Sequence, residues 1–375
     1  MAVQLSRRSL IKFSPAFLIL SRSLTAPRPS LSAQDLEVKG LDREIWADEL
    51  EAFVPKRIFD VHTHLPCWRF NLDPKKAAAP PDAVGGAVFT ETTLDLLTRF
   101  NQKLLPGREV HYLAFPTVFP QCDFKGSNAH VASEVRNRPG SAGLMLVHPS
   151  MSAADIEKSV AAGGFLGFKC YRYYSVTGDM VECRITDFLP EHQIAVANRH
   201  GLIIMLHMAK AKACADPENL ADLQRLSRQY PRVRWVLAHC ARSFTPYPIE
   251  KVGRQLRELP NVWIETSAVC ESASFSALFE TFGIARVLYG SDNPRVGMAR
   301  GKYVAVGRGW FGVDSEITRS LTENPTDLRL TFYGYESLRA LRYAVRWAKL
   351  DDRQIQALFY NNASKLIEAV RKDRG

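Results

Sequence analysis

Ile58-Phe59-Asp60-Val61-His62-Thr63-His64 is an apolar run that closes on two histidines one residue apart. Side chains alternate with period two along a strand, so both imidazoles leave on one face and can grip one cation. Seven more short apolar runs follow Arg57–His62: Val110–Val118, Ala142–His148, Phe165–Tyr171, Leu202–Met208, Val233–His239, Val262–Ala268 and Arg286–Asp292. Near-continuous apolar strands of this kind are expected in a parallel sheet covered on both faces. Helical patterns lie between them. Thr93–Leu105 places Leu94, Leu97 and Leu104 on one side. Asp216-Pro217-Glu218 is a helix start followed by Leu220, Leu223 and Leu226, and Ile249, Val252, Leu256 and Leu259 form another stripe. Eight strand–helix units point to an α/β fold, a (β/α)8 TIM barrel over residues 56–370. The excess length sits in Leu65–Glu91 and Asn293–Thr331, both after strands and so both expected at the C-terminal mouth.

The other strand ends carry polar residues of the same kind. Lys169 stands in the fourth, His207 in the fifth, His239 in the sixth and Asp292 in the eighth. Barrel enzymes place their catalytic groups at these ends. Imidazole with carboxylate suits zinc, manganese or iron. Three residues after Lys169, His207, His239 and Asp292 stand Arg172, Lys210, Arg242 and Arg295. Basic groups leaving the strands there can clamp a substrate carboxylate, with Trp68, Tyr171, Tyr173 and Tyr174 as candidate walls. His111, His130, His148, His192 and His200 read as structural or exposed, with His148 alone ending a strand. Cys67 lies three residues after His64 and reads as an inert thiol.

The chain has 375 residues, 46% hydrophobic and 23% charged, which is globular composition. The net charge is +10, but Arg7, Arg8, Lys12, Arg22 and Arg28 fall in residues 1–33 with no acid, leaving about +5 for the rest. With no nucleic-acid-reading motif, a nucleic-acid partner is not expected. No apolar run reaches the ~18 residues of a membrane span. Seven scattered cysteines, with no paired spacing, read as buried free thiols. Residues 1–33 pass from paired arginines through a short apolar stretch, Phe13–Leu20, to small residues. This layout is that of a twin-arginine export signal, so a periplasmic location is expected, with residues 34–55 forming an N-terminal arm. A homo-oligomer is compatible with the pattern.

The order His-x-His, Lys, His, His, Asp resembles the amidohydrolase superfamily. Asp60-Val61-His62-Thr63-His64, Gly290-Ser291-Asp292-Asn293-Pro294 and Asn361-Asn362-Ala363 are similar to its amidohydrolase-related branch over residues 57–370. PHP phosphoesterases and TatD-type nucleases share the Asp-Val-His-Thr-His start, but the latter usually have a glutamate where Lys169 stands. The resemblance implies one divalent metal, zinc before manganese or iron, on His62, His64, His207 and Asp292. His239 would polarise the substrate or serve in acid–base work. In two-metal relatives a lysine carbamate at position 169 bridges two ions and His239 binds the second; the one-ion arrangement is the expectation here. The implied activity is hydrolysis of a C–O or C–N bond in a small carboxylate-bearing lactone or amide, with Asp292 moving the proton of an activated water. Decarboxylation or hydration of an unsaturated acid by the same site is the alternative.

Overall fold

In a computed structural model of the chain, residues 36–73, 83–84, 87–88, 90–314, 317–318 and 328–374 are described. The segment expected to be an export signal lies outside the described residues. Eight parallel strands follow one another in the sequence: β1 Arg57–Leu65, β2 Glu109–Pro116, β3 (Ala142–Gly143 and Met145–Leu146, continuous through Leu144), β4 Gly167–Cys170, β5 Ile203–Leu206, β6 Arg234–Leu237, β7 Val262–Glu265 and β8 Val287–Leu288. Each pairs with the next. Leu144 N–H donates to the Ala114 carbonyl at 2.9 Å, bridging the two parts of β3. Beyond β8 the chain returns to β1. Val61 N–H donates to Tyr289 O at 3.0 Å, Asp292 N–H to His62 O at 2.9 Å, and His64 N–H to Asn293 O at 2.7 Å. These bonds close the ring, so the barrel expected from the sequence is present.

A helix follows every strand: α1 Leu94–Leu104, α2 Phe124–Arg136, α3 Ala153–Gly163, α4 Glu191–Arg199, α5 Pro217–Gln229, α6 Pro246–Arg257, α7 Ser272–Thr281 and α8 Tyr333–Trp347. Their starts follow from local chemistry. Thr93 and Asp216 accept backbone N–H bonds at the heads of α1 and α5, and Pro217 sits at the first turn of α5. Leu94, Leu97 and Leu104 on α1, Leu223 and Leu226 on α5, and Ile249, Val252 and Leu256 on α6 are all buried against the barrel. The apolar stripes thus supply the outer layer of one continuous core.

Seven of the eight strands are shorter than the apolar runs, while β1 continues past His62 to Leu65. The eighth run keeps regular pairing only over Val287–Leu288 because Asp292 turns into the left-handed region at φ +59°. The N-terminal arm holds a helical segment, Gly40–Leu50, and is pinned to the loop after β8. There the fully buried Asp42 accepts bonds from Arg300 and from Thr331 Oγ1. All seven cysteines are buried and free, as expected. No helix of the described residues is long and apolar enough to cross a membrane.

Candidate metal centre

The C-terminal ends of the strands bring His62, His64, Lys169, His207, His239 and Asp292 together. His62 Nε2 lies 3.5 Å and His64 Nε2 3.3 Å from Asp292 Oδ1. The His62 ring centroid is 5.3 Å from His64 and 4.8 Å from His239, and His239 is 5.1 Å from His207. Among the described residues, one donor atom each from His62, His239 and Asp292 falls within 4.8 Å of the others, all three side chains being buried. His239 therefore stands at the centre together with His62 and Asp292.

Every imidazole has its Nδ1 occupied. His62 Nδ1 meets Glu265 Oε1 at 3.0 Å, and His64 Nδ1 meets the Pro116 carbonyl at 3.3 Å. His207 Nδ1 is 3.2 Å from the Met208 carbonyl, and His239 Nδ1 is 2.8 Å from Ser267 Oγ. With Nδ1 engaged, Nε2 is the free ligand atom on all four rings. Burial, followed by the nearby Lys169 charge, pushes the His62 imidazole well below its ordinary range. His64 is lowered by burial, and His207 well lowered by burial and then by His239. Neutral imidazoles are the form a metal needs. Burial alone would raise the Asp292 carboxyl, but the attraction of His62 and the bond from His64 hold it well below the usual carboxylate range. Three imidazoles kept neutral by burial, the His239 ring beside them and an ionised carboxylate fit a divalent cation.

Glu265, at the end of β7, was missed by sequence reasoning. It is fully buried and accepts bonds from His62 Nδ1, from the His239 backbone N–H at 2.6 Å, and from the N–H and Oγ of Ser267 at 2.7 and 2.8 Å. One carboxylate thus sets the tautomer of His62 and the main chain of His239. The available signal was an acid standing inside an otherwise apolar run.

Residues 239 to 242 form a left-handed turn, with φ of +58°, +55°, +55° and +60° and no glycine. Such a turn costs roughly 1–2 kcal/mol per residue and persists only where surrounding contacts enforce it. It carries His239 and Arg242 together, which gives a structural reason for their three-residue spacing. Arg242 donates to the Lys210 carbonyl at 2.5 Å and Arg172 to the Met180 carbonyl at 2.8 Å. Neither pairs with an acid among the described residues. Burial, and then the Arg172 charge, lower the Arg242 guanidinium. Both arginines act electrostatically on His207.

The other two basic residues fare differently. Lys210 is committed to its own surroundings, with Nζ 2.8 Å from Glu218 and 3.0 Å from the Glu182 carbonyl. Its charge is thus engaged locally rather than left free. Arg295 is exposed, while its neighbours Asp292, Asn293 and Pro294 are buried.

Lys169 is fully buried, its Nζ 3.5 Å from His62 Nε2 and 4.7 Å above the Phe115 ring. Burial lowers its pKa to about 8, against the pull of Asp292 and Glu265. The Tyr171 ring stacks 4.7 Å from His207 and 4.8 Å from Tyr173. Trp68 packs edge-on to Phe119 at 5.8 Å, with its indole N–H buried and unpartnered. His148 bonds Ser150 and packs on Phe124, away from the cluster. His111, His130, His192 and His200 bond to Glu109, Thr92 O, Met151 O and Glu157, and are structural.

The fold recurs in solved structures. A 2,6-dihydroxybenzoate decarboxylase complexed with 2,6-dihydroxybenzoate is similar at TM-score 0.52 and 12% identity, covering 84% of this chain and 100% of that one. A dihydroxybenzoic acid decarboxylase from Polaromonas sp. JS666, with bound manganese and the inhibitor 2-nitroresorcinol, gives 0.51 and 13% over 84% and 97%. An amidohydrolase from Burkholderia multivorans with bound zinc gives 0.52 and 14% over 83% and 99%. At these identities the likeness is one of fold. No curated protein sequence matches the chain. The sequence model of the amidohydrolases matches residues 59–368, the stretch that builds the barrel and every residue of the cluster, and the chain belongs to that family.

Proposed function

We propose that this protein is a metal-dependent hydrolase that cleaves a C–O or C–N bond in a small lactone or amide bearing a carboxylate. The observation that carries the reading is the juxtaposition of two arginines without acidic partners among the described residues, Arg172 and Arg242, with the neutral imidazoles of His62, His64 and His207, the His239 ring and an ionised Asp292. One divalent ion would be held by His62, His64, His207 and Asp292, with His239 beside it. Zinc is favoured, and manganese or iron would suit the same donors. When bound, the ion supplies Lewis acidity, polarising a carbonyl and making water acidic enough to attack near neutral pH. The Asp292 carboxylate would accept the attacking water's proton and return it to the leaving group. His239, its Nδ1–H fixed by Ser267, presents the Nε2 lone pair to the substrate, where it can take and return a proton. Arg172 and Arg242 receive the substrate carboxylate and set its angle.

Decarboxylation of an unsaturated acid is the second reading. It uses the same residues, and two of the structures sharing this fold are decarboxylases of dihydroxybenzoates. Metal analysis followed by a screen of lactones, amides and unsaturated dicarboxylates tests both. A ring-opened or amine product supports hydrolysis, and release of carbon dioxide supports the lyase. With an active carboxylate substrate, Arg242→Ala is expected to raise KM by about 10- to 100-fold. An unchanged KM would refute the carboxylate grip.

Residues 1–33 are read as a twin-arginine export signal, supported by Arg7-Arg8 and the apolar stretch behind them. Replacing both arginines with lysine should keep a tagged protein out of the periplasmic fraction.

A further inference from the structure

The long loop after β8 contains a two-stranded antiparallel hairpin, β9 Lys302–Val306 and β10 Gly309–Val313, joined by Gly307-Arg308. Gly307 takes φ +59°, which a two-residue hairpin turn requires. Ala305 pairs with Trp310 and Tyr303 with Gly312, so Tyr303, Ala305, Trp310 and Gly312 share one face. Gly312 is needed there, because a Cβ would come within 2.9 Å of the Tyr333 hydroxyl and 3.4 Å of the Tyr303 ring.

That face meets Phe244, two residues beyond Arg242. Trp310 stacks on Phe244 with centroids 4.0 Å apart at 24°, and Tyr303 meets Phe244 edge-on at 5.1 Å and Trp310 at 5.0 Å. Phe244 in turn lies 5.8 Å from the His239 ring. Arg308 sits 4.4 Å over the Tyr247 ring and anchors the tip to the start of α6. The three rings therefore form a wedge bound to the β6–α6 loop, beside the His239 imidazole of the cluster. Trp310 remains 38% exposed although Phe244 covers one of its faces. Tyr303 belongs to the same wedge, its ring 5.1 Å from Phe244, which itself lies 5.8 Å from His239, and Asp292 is the first of the charges acting on its phenol. Burial and then Asp292 push its pKa up and keep it a hydrogen-bond donor, and it has no partner among the described residues.

We propose that this hairpin is the specificity element of the site: Trp310 and Phe244 form a wall for a flat conjugated ring, and the Tyr303 hydroxyl donates a hydrogen bond to an oxygen on that ring. The assignment rests on the carboxylate reading above and narrows it to planar, oxygen-substituted unsaturated acids. Aromatic contacts reward a flat ring over a puckered one. A neutral donor rewards a ring oxygen over a bare edge.

The test is calorimetric binding to the metal-loaded full chain. The probes are benzoate, cyclohexanecarboxylate and the three monohydroxybenzoates, and the proteins are wild type, Trp310→Ala, Tyr303→Phe and Arg242→Ala. Wild type should bind benzoate at least 10-fold tighter than cyclohexanecarboxylate, and its best hydroxybenzoate about 5-fold tighter than benzoate. Trp310→Ala should abolish the first preference. Tyr303→Phe, which keeps the ring packing, should abolish the second and leave the first. Metal content and thermal midpoint of Tyr303→Phe should match wild type. Equal binding of the flat and saturated acids, or either preference surviving in its variant, overturns the proposal while the carboxylate reading stands, provided Arg242→Ala weakens every probe. Failure of wild type to bind any of these acids overturns both.

Discussion

The Glu265 carboxylate lies 3.0 Å from Nδ1 of His62, with both side chains buried. An acid on β7 therefore governs a metal-facing imidazole on β1. The same oxygen accepts the His239 N–H, so two rings whose centroids lie 4.8 Å apart share one anchor.

Replacing Glu265 with glutamine keeps the shape and removes the charge. The amide cannot hold the His62 Nδ1–H as strongly, and partners of this kind typically contribute 10- to 100-fold in metal affinity. Competition with a chelator should show a loss of that size, with turnover partly recovered at saturating metal. Unchanged affinity would show that Glu265 serves the fold alone.

The eight strands and the histidine pair were legible because they rest on apolar runs and a period of two, which act locally. Glu265 was hidden inside the run Val262–Ala268, where an acid looks like an interruption rather than a strand end. The left-handed turn at His239–Arg242 has no signature, since none of its residues is glycine and only tertiary contact enforces the conformation. Lys210 shared the spacing of Arg172 and Arg242 but is paired with Glu218, and Arg295 shared it but is exposed. The hairpin carried a weak signal, Gly307-Arg308 between β-branched and aromatic residues, within a segment read only as a loop.

Asp60 supplies a dependence on pH. Its carboxylate accepts the backbone N–H groups of His62 and Ser291 and the Ser291 hydroxyl, tying β1 to the segment that follows β8. Burial outweighs these bonds and raises its pKa to about 6 from 3.8. A raised carboxyl pKa means the folded state holds the proton more tightly than the unfolded state. The group therefore favours folding as pH falls from 6 toward 3.8, and its ionised form costs stability above 6. The cost is roughly 3 kcal/mol at most. Asp60→Asn should gain stability relative to wild type as pH rises through 6, in denaturant titrations of metal-free protein. A difference between the two that does not change with pH would contradict the assignment.

His62→Ala and Asp292→Ala should each abolish turnover, and His62→Ala should also lower the metal content of purified protein. Removing the ion from wild type with a chelator should abolish activity, and adding back zinc or manganese should restore it. Full activity of the metal-free protein would refute the centre as drawn.

Lys169 decides between one ion and two. Its amine reaches to 3.5 Å from His62 Nε2, close enough either to carry a bridging carbamate or to stand bare beside the ligands. Burial lowers its pKa to about 8, so a sizeable minority of the amine is neutral near pH 7.5. A neutral amine can react with carbon dioxide, so the pKa alone does not choose. The surroundings favour the bare amine: Nζ sits over Phe115 at 4.7 Å, and the carboxylates acting on it, Asp292 and Glu265, would repel a carbamate's negative charge. Wild type should therefore contain one ion per chain. Lys169→Ala should keep that ion and weaken substrate binding, because a positive or donating group beside the pocket has gone. Elemental analysis of both proteins reads the answer directly. Two ions in wild type and one or none in the variant would establish the bridge and make His239 a ligand of the second ion. One ion in both leaves His239 free to act on substrate.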